Sequence, residues 1–191
     1  MKEFIIFILI FLVVFALALF IFNGRFIYAQ FKYSILGPSP INKNFSFVQE
    51  KEFPQRIVIS AVGIDAPIVV PEGIDEPVLQ KALEKGVVYW PSSNLPQENG
   101  VIVILGHSSA YPWYGGKYGS VFSLLSKLQT GENIVIFDKD KEYNYRVVGK
   151  EIKAPKDLIL EKAEDKSILY LVSCWPINTS WKRIVIKAER Y

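Results

Sequence analysis

The sequence predicts a mainly β domain carried behind one apolar amino-terminal helix. Seven short runs rich in β-branched and aromatic residues (56–60, 64–70, 101–106, 133–138, 143–149, 167–174 and 183–189) are separated by Gly, Pro, Asn and Asp, as expected of strands joined by turns. Only two later segments have helical spacing. Residues 76–84 are stopped by Lys85-Gly86, and residues 120–128 place Val121, Leu124, Leu125 and Leu128 on one face. Residues 4–22 contain no charge. Together these features predict an all-β barrel or sandwich with insertions, preceded by a hydrophobic helix.

The uncharged run is close to the roughly 20 residues that a helix needs to cross a bilayer. It ends in Asn23-Gly24-Arg25-Phe26, without the small-residue cleavage pattern of a secretory signal peptide. Residues 4–22 are therefore expected to be an uncleaved transmembrane signal anchor. Lys2 precedes the span, and Arg25 and Lys32 follow it, so charge bias barely orients it. Residues 23–53, with Pro38 and Pro40 among polar residues, read as a stalk or linker. Residues 54–191 read as one folded, mainly β domain.

The chain has 22 basic and 19 acidic residues, a net charge of +3, and the basic residues are scattered. This leaves no electrostatic footprint for nucleic acid. One cysteine excludes an intrachain disulfide and a Cys-rich zinc site. With one histidine besides, neither a metal nor another cofactor is expected.

Both rare residues close apolar, strand-like runs. Cys174 ends Ile168-Leu169-Tyr170-Leu171-Val172-Ser173-Cys174, and His107 ends Val101-Ile102-Val103-Ile104-Leu105-Gly106-His107. Arg183 follows the cysteine by nine residues and opens the last strand. A thiolate is a nucleophile near neutral pH, an imidazole can carry its proton, and a guanidinium stabilises an oxyanion without deprotonating. Cys174 and Arg183 are expected at the same end of two consecutive antiparallel strands. Nothing in the sequence alone brings His107 to that end.

A strand ending in Gly-His, a later strand ending in Ser-Cys-x-Pro and an arginine at the start of the last strand resemble the sortases, membrane-anchored cysteine transpeptidases of prokaryotic cell envelopes. Arg56-Ile57-Val58-Ile59 and Ala66-Pro67-Ile68-Val69 are similar to that family's first two strands. Gly131-Glu132 is similar to its turn into the central strand. The resemblance covers about residues 54–191. It implies a closed eight-stranded β-barrel with one or two short helices, with Cys174 as nucleophile, His107 as general acid or base and Arg183 as oxyanion stabiliser. It also implies the partners: exported proteins carrying a carboxy-terminal sorting signal, an amine acceptor on the cell envelope or on another protein, and the cytoplasmic membrane, with the domain outside.

Some features depart from the family pattern. Ser173 stands where threonine is commoner, Ser108 follows the histidine where many members have arginine, and the Asp-Pro-aromatic lid of pilin-polymerising sortases is not found. No second span is expected after the barrel, and no anionic Ca²⁺ cluster is evident. Leu95-Pro96-Gln97-Glu98-Asn99-Gly100 superficially resembles the Leu-Pro-x-Thr-Gly signals that many sortases cut, but lacks the threonine and reads as a turn. Trp90, Trp113, Trp175 and Trp181 could line a peptide groove or pack the barrel. Two other readings stay open: an L,D-transpeptidase-like envelope enzyme, whose Gly-Cys-x-Arg pattern Ser-Cys-Trp-Pro does not match, and a non-catalytic, membrane-anchored peptide-binding barrel.

Overall fold

The computed structural model describes residues 2–37, 53–111, 114 and 116–191. The amino-terminal helix α1 spans Lys2–Leu36 and so continues past the expected anchor into the expected stalk. No proline interrupts it before Pro38, and Gly37, with φ 64° in the left-handed region, ends it. Among the described residues no helix is long and apolar enough to cross a membrane. Within the expected anchor, only the side chains of 4–15 and 17 are described. Most of the expected stalk beyond α1 lies outside the described residues.

Eight strands follow: β1 (Arg56–Ile59), β2 (Ile64–Val69), β3 (Val87–Tyr89), β4 (Gly100–Leu105), β5 (Asn133–Asp138), β6 (Lys141–Lys153), β7 (Ser167–Trp175) and β8 (Lys182–Arg190). They close a barrel in the order β1-β2-β3-β4-β7-β8-β6-β5. Two neighbours run parallel, β2 with β3 and β4 with β7. Closure leaves no free sheet edge. One helix, α2 (Glu76–Lys85), bridges β2 to β3 and carries Pro77 in its first turn, where a missing N–H costs nothing.

Alternation along each strand divides the barrel into two faces. Ile57, Ile59, Ile102, Ile104, Leu169, Leu171, Ile184 and Ile186 fill the interior with Tyr89 and Tyr145. Each such side chain taken fully out of water contributes roughly 1.5–3 kcal/mol. On the outside of β4, β7 and β8, a second cluster joins Val103, Leu105, Tyr170, Val172 and Val185. Leu158, Leu160 and Ala163 of the β6–β7 connection cover it.

Three elements differ from the sequence expectation. β3 is an additional strand of three residues. Residues 120–128 are consecutive tight turns ending in a single 3₁₀ turn, Leu125–Lys127, with bonds such as Ser123 N–H to the Ser120 carbonyl (3.1 Å) and Leu128 N–H to that of Leu125 (3.1 Å). The apolar spacing still serves packing, since Phe122, Leu124, Leu125 and Leu128 are all buried. Finally, β6 runs on to Lys153 through a charged stretch, held by its pairing with β8 across a bulge at Val147/Gly149.

Candidate active site

Cys174 and Arg183 are direct cross-strand partners at the loop end of the β7–β8 ladder. Paired residues in an antiparallel ladder share a face. Ile184 and Trp175 pack on the barrel interior, so their chain neighbours Arg183 and Cys174 face outward, in line with Val172 and Val185. The thiol is free and half-buried.

Because β4 runs parallel to β7, both strands end on the same rim. Leu105 pairs with Val172, and Gly106 N–H donates to the Val172 carbonyl at 3.2 Å. Ser173 Oγ–H then donates to the Gly106 carbonyl at 2.7 Å. The register therefore brings His107 level with Cys174 on the neighbouring strand. The rim thus carries Cys174 on β7, Arg183 on β8 and His107 two residues past the end of the adjacent strand β4. This juxtaposition of β4 with β7 is the link the sequence could not supply.

The local sequence holds His107 in a tight seat. A Cβ on Gly106 would lie 2.5 Å from the Phe122 ring, so only glycine permits this approach. Phe122 N–H donates to the His107 carbonyl at 2.9 Å. The imidazole meets the Tyr114 ring edge-on, with centroids 5.2 Å apart and planes at 82°. Its Nε2 is buried and has no hydrogen-bond partner among the described residues. Burial pushes the His107 pKa below the usual histidine value, and the Glu76 carboxylate opposes this more weakly. The imidazole is therefore neutral at pH 7, with a nitrogen free to take a proton.

Arg183 donates through Nη1 to the Ser180 and Lys182 carbonyls, both at 3.0 Å. These bonds fold the side chain against the β7–β8 loop. The same loop is tied to the histidine loop by the Asn178 N–H donating to Ser109 Oγ at 2.9 Å. Among the described residues no group of three or more His, Cys, Asp or Glu is placed to hold a metal. Of the tryptophans, Trp175 packs on the core, Trp181 is 75% exposed, and Trp113 lies outside the described residues. Sequence reasoning missed the Tyr114 contact and the Ser173 tie, since neither leaves a local pattern.

The fold and rim define a closed β-barrel with a thiol, an imidazole and a guanidinium at the ends of three neighbouring strands. A family model for the sortase domain matches residues 57–191, and the chain belongs to the sortase family. It is similar to Sortase D of Bacillus subtilis (strain 168), 29% identical over 131 residues that cover 66% of this chain and 59% of that protein. It is also similar to Sortase A of Bacillus anthracis, 23% identical over 145 residues covering 74% and 61%. The chain spans about three fifths of the length of these curated relatives. In fold it matches the lid mutant of Sortase A from Corynebacterium diphtheriae, with a TM-score of 0.62 at 21% identity over 88% of this chain and 92% of that one.

Proposed function

We propose that this chain is a cysteine transpeptidase that cuts a sorting signal in exported proteins and joins the new carboxyl end to an amine. The observation that carries the reading is the direct pairing of Cys174 with Arg183, with His107 level with them just past the end of β4. Neutral His107 takes the Cys174 proton as sulfur attacks the scissile carbonyl, and Arg183 stabilises the oxyanion once it turns from the loop carbonyls. The imidazolium then protonates the departing amine. A thioacyl-enzyme results, and His107 accepts a proton from the acceptor amine that resolves it.

Residues 4–22 are proposed to anchor the chain in the cytoplasmic membrane with the barrel outside. Their length and lack of charge support this. An anchored enzyme meets membrane-held donor and acceptor at high effective concentration, which favours the amine over water. Membership of the sortase family does not favour the L,D-transpeptidase reading or the non-catalytic one. The test is Cys174→Ala. With a peptide bearing the sorting signal, the wild-type protein should gain the mass of the acyl fragment and release an amine product. The variant should do neither, with an unchanged circular dichroism spectrum. Turnover by Cys174→Ala would overturn the mechanism.

A further inference from the structure

We propose that Lys153 is a substrate-binding residue, forming with Arg183 a two-cation edge beside Cys174 that takes a carboxylate side chain of the acyl-donor peptide. The inference rests on the thioacyl reading and extends it to substrate class. Lys153 is the direct partner of Arg183 across β6 and β8, as Cys174 is across β7 and β8. Lys153, Arg183 and Cys174 therefore form one transverse row on the outer face. The next row down contains Glu151, Val185 and Val172 in the same way. Glu151, Lys153, Glu161, Val185 and Lys187 line a cavity of about 50 Å³ beneath Leu158 and Leu160 of the β6–β7 connection, where Glu161 is already paired with Lys187.

The charges in this row are not matched. Two cations directly opposite on neighbouring strands repel. Among the described residues Arg183 has carbonyl partners and no carboxylate. Lys153 pairs with Glu151 Oε2 at 2.5 Å, but Glu151 is 61% exposed. An exposed pair of this kind is weak, so an incoming carboxylate can compete with Glu151 for Lys153. The chemistry fixes which part of the peptide arrives there. The leaving amine must lie beside His107 to be protonated, so the acyl portion extends the other way, over Arg183 towards Lys153.

Cys174 is the chain's only cysteine, so its alkylation rate reads the local field directly. Iodoacetate carries a carboxylate where iodoacetamide carries an amide. The ratio of their rates should fall up to about twofold at low salt in Lys153→Gln, as expected for one charge removed roughly two strand spacings, about 10 Å, away in water. Lys153→Arg should restore it, and Glu151→Gln should raise it. Lys182→Gln should leave it unchanged, because Lys182 pairs with Trp175 on the opposite face. An unchanged ratio in Lys153→Gln, or an equal fall in Lys182→Gln, would overturn the proposal. Alkylation proceeds whether or not the chain turns over a peptide, so failure of the transpeptidase reading would appear separately, as absent turnover.

Discussion

Arg183 lies beside Cys174, yet its guanidinium is bonded to the Ser180 and Lys182 carbonyls. Those are neutral acceptors, so a developing oxyanion competes well for the same donors. A planar fork can hold an oxyanion and a neighbouring backbone carbonyl together, whereas an ammonium on a flexible stem cannot. Arg183→Lys should therefore lose turnover by about 10²–10³, the usual cost of one oxyanion donor, mainly in kcat. Lys182→Ala should retain near wild-type turnover, because Lys182 faces away with Trp175. Steady-state kinetics on the two variants decide the assignment, and equal losses would remove Arg183 from its role.

β7 is the element that organises the rim, since it is hydrogen-bonded to β4 on one side and β8 on the other. Its upper end is fastened to β4 by the Ser173 hydroxyl on the Gly106 carbonyl at 2.7 Å. Threonine and valine at this position have the same shape and differ only in that donor. Ser173→Thr should be more stable than Ser173→Val by about 1 kcal/mol, the net value of one such bond, read from urea unfolding curves. Equal stability would mean that the bond contributes nothing to holding β4 against β7. Seven strands were legible because each alternates or runs apolar between turn residues. β3, at three residues, is too short to show a period, and it forms because β2 and β4 flank it. The end of β6 was illegible for another reason: Lys150, Glu151 and Lys153 are charged, and only their pairing with β8 makes them a strand. Lys153 was hidden from a sequence reading for that same reason. Residues 120–128 misled because apolar spacing of three and four fits a helix and a chain of tight turns alike.

The closed barrel brings together residues that are far apart in sequence, and that limits how much of the site one chain can reveal. Cys174 and Arg183 are joined by one short loop, so their pairing was legible. His107 reaches them only because β4 lies parallel beside β7, and a parallel pairing leaves no local signature. The same burial that seats the imidazole links it to the stability of the whole fold. His107 is the only histidine in the chain, and between pH 5 and 8 no other side chain has an unperturbed pKa. Its folded pKa lies below the usual value because burial disfavours the charged ring. As pH falls through about 6.5 the unfolded chain takes up a proton that the folded barrel refuses. The unfolded state then binds more protons, so stability present above that pH is lost progressively until the folded value is also passed. His107→Gln keeps a polar side chain of similar reach and removes the titration. Urea unfolding between pH 7.5 and 5.5 should show wild-type stability falling more steeply than that of His107→Gln. Parallel declines in the two proteins would show that burial does not hold the His107 pKa below its ordinary value.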